Sequence, residues 1–246
     1  MALFAFCSST EDAAEENVVK DKPKAEIKLN IVEDENILHH TVDVANSDLK
    51  FYLKDSEGKG YKNAKDLKEG LKADGKKLKF CMNGGMFDKS LNPVGLYIEN
   101  GLEIKKINRV KNASGNFHLV PNGVFYINED KTAHVIQTDD FEGSGKIKFA
   151  TQSGPMLLID GEHHPKFKDG SKNLNIRNGV GILPNGQVLF AMSKKRINFY
   201  DFASFFKENG CENALYLDGA ISQTYLPEKG YDFDGGRFGV LIGEVE

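Results

Sequence analysis

Short apolar runs separated by glycine-containing turn pairs recur along this chain, and that punctuation constrains the fold more than any other feature. Asn100-Gly101, Asn122-Gly123, Asn178-Gly179 and Asn185-Gly186 are all pairs of this kind. Asn-Gly tolerates the positive φ angles that a tight hairpin turn demands. The first pair lies between Gly95-Leu96-Tyr97-Ile98 and Leu102-Glu103-Ile104, and the last between Val180-Gly181-Ile182-Leu183 and Gln187-Val188-Leu189-Phe190. Both settings predict β-hairpins, and so a largely antiparallel sheet. With 25 glycines, 17 phenylalanines and no tryptophan, the chain suits many turns and short strands packed over a phenylalanine-rich core.

Periodicity fills in the elements around these turns. Ile27, Leu29 and Ile31 alternate as an opening strand, Val42 and Val44 after His39-His40 start a second, and residues 49–53 continue the pattern. In residues 63–73, Ala64, Leu67 and Leu71 fall on one helical face, with Gly75 close behind as a stop. A second helix is announced by Asn198 as N-cap and Asp201 in the first turn. Phe199, Phe202, Phe205 and Phe206 form its apolar stripe, and Gly210 closes it. A strand over residues 213–217 ends at Asp218-Gly219, and residues 238–242 form the last strand. No internal repeat and no domain-scale linker follows Lys24. The expectation is one α+β domain over residues 25–246, a largely antiparallel or mixed β-sheet core with a few packed helices.

Composition excludes some classes of function. Lys+Arg number 32 and Asp+Glu 36, a net charge of −4, so no basic excess is available to neutralise nucleic-acid phosphates. Cys7, Cys81 and Cys211 cannot build a disulfide framework and lack zinc-knuckle spacing; Cys81 and Cys211 read as small buried residues beside strands, with a bridge between them left open. Residues 1–24 read as a signal-like segment and polar tether: an apolar MALFAF run reaches Cys7, and a charged stretch without periodicity follows. This resembles the end of a lipoprotein signal, a reading that makes the protein extracytoplasmic and leaves attachment through a lipidated Cys7 open beside two alternatives, a start upstream of Met1 or an ordinary frayed terminus. Phe6 stands where such signals carry a small residue.

Three places carry chemistry, each with two readings. Asp218-Gly219 at a strand end is either a turn or a carboxylate delivered to a sheet rim, where glycine lets the backbone approach a ligand. Asn83-Gly84-Gly85 is either a glycine turn or a set of amides offered to an oxygen-rich ligand. Arg177, alone between apolar strands, either recognises a carboxylate or phosphate or sits at a hairpin entrance with its head in water. His163 and His164 are adjacent on what reads as a loop, and neighbours on an extended chain point apart, so they make no metal site. No P-loop, nucleophile elbow or dinucleotide fingerprint occurs.

Taken as a series, the motifs are more specific. Asn83-Gly84-Gly85-Met86-Phe87, Pro93-Val94-Gly95-Leu96, Gly115-Asn116-Phe117, Pro121-Asn122-Gly123-Val124-Phe125, Gln152-Ser153-Gly154-Pro155-Met156-Leu157, Arg177-Asn178-Gly179-Val180-Gly181, Asn198-Phe199-Tyr200-Asp201-Phe202-Ala203 and Ala214-Leu215-Tyr216-Leu217-Asp218-Gly219 together resemble the phosphodiester glycosidase family, over roughly residues 76–242. The resemblance implies hydrolysis of a sugar 1-phosphodiester, such as an N-acetylglucosamine-1-phosphodiester on a glycan or wall polymer, between the anomeric carbon and the phosphate oxygen. It implies Asp218 and Arg177 as catalytic residues, with Arg177 meeting the phosphate. It implies a substrate pocket formed by Asn83, Gly84, Gly85, Phe87, Gln152, Ser153, Asn178, Asn198, Gly219 and Ser222. Asp201 and Asp160 are candidates for a second carboxylate. No cofactor is required and no metal ligand is assigned, with a divalent cation and the oligomeric state left open. Two positions depart from the family pattern: Ala220-Ile221-Ser222-Gln223 replaces a glycine-rich run with paired serines, and Asn178-Gly179 follows Arg177 where Thr or Ser is frequent. Two other functions remain in view: a non-catalytic surface protein that binds glycan through the same pocket, and a metal-dependent phosphoesterase that uses Asp218 and a histidine.

Overall fold

The computed structural model describes residues 1, 29–143, 145–218 and 221–246. The expectations on residues 1–24, including lipidation of Cys7, and the role of Gly219 therefore lie outside the described residues. In chain order the elements are β1 (Ile37–Val42), β2 (Asp48–Tyr52), α1 (Ala64–Ala73), β3 (Leu78–Asn83), β4 (Tyr97–Glu99), β5 (Leu102–Lys105), β6 (Gly123–Asn128) and β7 (Ala133–Gln137). They continue with β8 (Ile147–Ser153), β9 (Met156–Ile159), β10 (Glu162–His163), β11 (Asn178–Ile182), β12 (Val188–Ser193), α2 (Phe199–Glu208), β13 (Ala214–Tyr216), β14 (Thr224–Leu226), β15 (Tyr231–Asp232) and β16 (Leu241–Val245). The strands form three sheets, in the orders β1-β12-β11-β13-β9-β10, β15-β14-β3-β16-β2 and β5-β4-β8-β6-β7. Neighbouring strands among the described residues run antiparallel. The fold is thus sheet-rich, with helices fewer than the term α+β suggests.

Phenylalanine joins the three sheets. Phe190 of β12 meets Phe80 of β3 at 5.1 Å and Phe125 of β6 at 5.9 Å, while Phe51 of β2 meets Phe125 at 5.6 Å and Phe149 of β8 at 5.4 Å. These rings are all buried and belong to one apolar cluster. Each contributes about 1.5–3 kcal/mol of burial, and tilted ring pairs add to that. The helices cover outer faces. The side chain of Asn63 accepts from the Asp66 amide to cap α1, whose Ala64, Leu67 and Leu71 pack against the sheet containing β3. Asn198 accepts from the Asp201 amide to cap α2, whose phenylalanines bury against the sheet containing β9 and β13.

The turn signals divide into two kinds. Asn100 (φ 51°) and Gly101 (φ 81°) both take positive φ, as expected of the β4–β5 hairpin turn, and Gly186 (φ 85°) lies in the β11–β12 turn. Asn122-Gly123 and Asn178-Gly179 instead lead into β6 and β11. A Cβ on Gly179 would lie 2.9 Å from both Leu157 Cδ1 and the Leu215 carbonyl, so glycine here serves close approach of strands.

Several sequence boundaries move. The described part of the expected first strand, Leu29 and Ile31, joins no sheet; both side chains pack beside the α2 cluster, and Asn209 Oδ1 accepts from the Val32 amide at 2.8 Å. His39 and His40 lie within β1 and do not precede a strand. The last strand runs later than expected, because residues 238–240 pack as irregular chain before β16 begins at Leu241. His163 ends the short β10 and His164 follows it. Cys81 and Cys211 are free thiols in different clusters, so no bridge joins them. Burial pushes each thiol up to about 12.

Candidate functional site

Strand ends from all three sheets converge on the backbone of Leu217 and Asp218. Asn178, at the start of β11, accepts through Oδ1 from the Asp218 amide at 2.9 Å and from the Ser222 hydroxyl at 3.2 Å. Its Nδ2 donates to the Asn83 carbonyl at 2.8 Å and to Asn83 Oδ1 at 3.1 Å. Asn83, at the end of β3, donates to the Asp218 carbonyl at 3.2 Å and accepts from the Gln223 amide at 2.9 Å. Ser222 Oγ donates its one hydrogen to the same Asp218 carbonyl at 2.8 Å, shared with the longer approach to Asn178 Oδ1, and Ser153 Oγ at the end of β8 donates to the carbonyl of Leu217. Asn83, Ser153, Asn178 and Ser222 are buried. Buried amides with both ends satisfied fix geometry firmly, because breaking any bond leaves an unpaired polar group. These bonds hold the Asp218 amide and carbonyl and do not use its half-buried carboxylate.

Arg177 lies behind this network and is completely buried. Its Nε donates to the Ile197 carbonyl at 2.8 Å, Nη2 to the Asn173 carbonyl at 2.8 Å, and Nη1 approaches the Tyr216 hydroxyl at 3.5 Å. The guanidinium lies 3.5 Å over the Phe199 ring, a cation–π contact strengthened by exclusion of water. Burial pulls its pKa below the usual guanidinium value, with the Tyr216 hydroxyl acting the other way and no carboxylate among the causes. In this structure the guanidinium presents no solvent-accessible face to a phosphate.

Tyr216 stands between the two charges. It ends β13 and precedes Asp218 by two residues. Burial raises its hydroxyl to about 12, with Arg177 lowering it and the Asp218 charge raising it. Neither Tyr216 nor Phe199 was singled out by sequence reasoning as part of the site. The two-residue spacing of Tyr216 from Asp218 was the available signal, while the position of Phe199 under Arg177 is set by tertiary packing.

The remaining sequence candidates have structural tasks. Gln152 Oε1 accepts from the amides of Leu96 (2.9 Å) and Asn108 (2.8 Å), and its Nε2 donates to the Asn108 carbonyl (2.7 Å) and Thr138 Oγ1 (3.1 Å). All four hydrogen-bonding positions of its side chain are thus filled by the protein. Gln152→Ala should cost about 2–4 kcal/mol by orphaning these buried partners, read as a lower urea midpoint with unchanged slope. Asn198 is occupied as the α2 cap, also donating to Asp201 Oδ2 at 2.8 Å. Gly84 packs under Ile242, and Gly85 lies where a Cβ would meet Thr151 Oγ1 at 2.5 Å. Phe87 packs with the α1 cluster. Asp201 is exposed in the first turn of α2, and Asp160 (φ 49°) is exposed in the β9–β10 turn.

His164 extends the aromatic packing away from the site. Its ring stacks on Phe167 at 4.8 Å, and Phe167 stacks on Phe199 at 4.8 Å. Nδ1 accepts from the Lys166 amide at 3.2 Å, Nε2 is buried, and the Val120 backbone lies beside the ring and favours its charged form. Burial lowers its pKa to about 4. The neutral ring is favoured in the folded state, so its contribution is complete above the unfolded value near 6.5 and is lost as pH falls toward 4. About 3 kcal/mol of stability should disappear over that window. Thermal unfolding of wild type and His164→Gln between pH 7 and 4 checks this; an equal pH slope in both would refute it. Among the described residues no three His, Cys, Asp or Glu side chains converge to hold a metal ion.

Comparisons with known proteins follow this geometry. The phosphodiester glycosidase family profile matches residues 76–237. An Escherichia coli (strain K12) protein named Uncharacterized protein YigE is 38% identical over 188 residues, covering 76% of this chain and 73% of its own. The catalytic domain of zebrafish N-acetylglucosamine-1-phosphodiester alpha-N-acetylglucosaminidase, auto-inhibited by its pro-peptide, superposes with a TM-score of 0.56 at 17% identity, over 85% of this chain and 81% of that one. A Burkholderia pseudomallei K96243 protein described as exported gives 0.55 at 10% identity, over 85% of this chain and 73% of its own. The two structural likenesses concern the fold.

Proposed function

From membership of the phosphodiester glycosidase family, to which this chain belongs, we propose that it hydrolyses a sugar 1-phosphodiester at the bond between the anomeric carbon and the phosphate oxygen. The observation that carries the reading is the convergence of Asn83, Ser153, Asn178 and Ser222 on the strand end bearing Asp218. Such a scaffold sets a carboxylate on rigid backbone, as stabilisation of developing charge requires. A phosphomonoester has a second pKa of about 6, so it departs with little need of a general acid. The main demand on the protein is then to stabilise an oxocarbenium-like sugar. The Asp218 carboxylate opposes that positive charge, or takes the proton of the attacking water. Arg177, a buried cation without a carboxylate partner among the described residues, supplies fixed positive potential for the phosphate side.

In the reaction the water oxygen bonds to the anomeric carbon, the carbon–oxygen bond breaks, and its electron pair leaves with the phosphate. Incubation with an N-acetylglucosamine-1-phosphodiester in water enriched in heavy oxygen tests this. Label in the free sugar supports the reading, whereas label in the phosphate means cleavage at phosphorus and overturns it. No turnover on a panel of such diesters would favour a glycan-binding role.

A further inference from the structure

The loop that begins at Asn83 leads to a concave surface apart from Asp218. A cavity of about 380 Å³ opens between the end of β2, the Asp88–Pro93 part of this loop and the β4–β5 hairpin. That volume is within the roughly 300–1,000 Å³ of small-molecule sites. Lys54 and Lys105 line it, and neither ammonium has an ion-pair partner among the described residues.

Its two acids are engaged locally. Asp88 Oδ1 accepts from the amides of Ser90 at 2.8 Å and Asn92 at 3.0 Å. Glu99 accepts from the Tyr97 hydroxyl at 2.6 Å and from the Leu53 backbone. Burial raises the Glu99 pKa, while the bonds from Tyr97 and Leu53 act the other way. Pro93 and the half-exposed Ile104 give the cavity an apolar wall. The Lys54 and Lys105 ammonium groups suit a phosphate even though Lys105 also acts on Asp88, the acids suit hydroxyls, and the apolar wall suits the C–H face of a sugar ring.

We infer that this cavity binds a second saccharide unit carrying a phosphate, so that the chain is adapted to substrates with repeated sugar-phosphate units. The choice of ligand rests on the phosphodiester reading above, but occupancy of the cavity does not require turnover. The surface is joined to the Asp218 region through packed chain: Gly85 rests on Thr151, and Thr151 is the ladder partner of Tyr97, whose hydroxyl holds Glu99.

The test is titration calorimetry with N-acetylglucosamine 6-phosphate at low salt, on wild type, the exposed-residue double variant Lys54→Ala/Lys105→Ala, and Asp218→Asn. The expected result is affinity reduced at least about tenfold in the lysine variant, the scale of one lost charge-assisted contact, and unchanged in Asp218→Asn. Equal affinity in wild type and the lysine variant overturns the inference. So does a loss confined to Asp218→Asn, which would place the probe beside Asp218. Inorganic phosphate binding as tightly as the sugar phosphate would reduce the cavity to an anion site and overturn its saccharide character. Wild type that hydrolyses no diester but still binds the probe through the lysines would reject the proposed reaction and leave this inference standing.

Discussion

Asp218→Asn should reduce kcat on an N-acetylglucosamine-1-phosphodiester by roughly 10²–10⁴-fold, the range associated with one positioned acid or base, with little change in melting temperature. The expectation of an intact fold comes from how the residue is held. Its amide donates to Asn178 Oδ1, and its carbonyl accepts from Asn83 and Ser222. An asparagine preserves these three backbone bonds and the side-chain shape, while it removes the charge and turns one acceptor oxygen into a donor amide. The electrostatic consequence is specific, because the Asp218 charge acts on Tyr216, which also faces Arg177. Steady-state rates beside a thermal melt decide the matter. A variant that keeps the wild-type rate would place the chemistry on another group, and a variant that melts early would assign the carboxylate a structural task.

The helices and the outer hairpins were legible because their signals are local. Asn63 and Asn198 cap the helices they precede, and Asn100-Gly101 makes the tight turn its sequence specifies. Asn178-Gly179 carries the same dipeptide but starts a strand, because Leu157 and the Leu215 carbonyl crowd the glycine from elsewhere in the chain. Such crowding has no local sequence mark. Leu29 and Ile31 alternate like a strand yet join no ladder; apolar spacing records that side chains are buried, and here the burial is against the α2 cluster. The site divides in the same way. Asn83, Ser153, Asn178, Asp218 and Ser222 stood in strand-end motifs, and the structure brings them together. Gln152 and Asn198 look equally polar in sequence, but one fastens the chain at Leu96 and Asn108 and the other caps a helix. What separates the two groups is where those bonds go: Asn178 is as fully bonded as Gln152, but its partners lie at the strand end bearing Asp218.

Arg177→Met should separate stability from rate. A buried guanidinium without a carboxylate is expensive to keep, since its desolvation is offset only by neutral acceptors and aromatic faces. Here these are the carbonyls of Ile197 and Asn173 and the ring of Phe199. Methionine fills much of the same space and removes the desolvation cost, while the Asn173 carbonyl loses the guanidinium donor and the Ile197 carbonyl keeps only the Asn175 amide. These effects oppose one another, so the net loss of stability should be small, about 1–3 kcal/mol. The rate should fall more, by roughly 10²–10³-fold, the scale of one preorganised electrostatic group lost from a transition state. Lysine should not restore it, because a point charge cannot donate to Ile197 and Asn173 while lying flat on Phe199. Urea denaturation and kcat measured on the same preparations distinguish the alternatives. A large loss of stability with an unchanged rate in the surviving folded fraction would make Arg177 a structural staple. A modest loss of stability with a collapsed rate would show that its charge serves the phosphate, and that the fold tolerates a destabilising cation for the sake of the reaction.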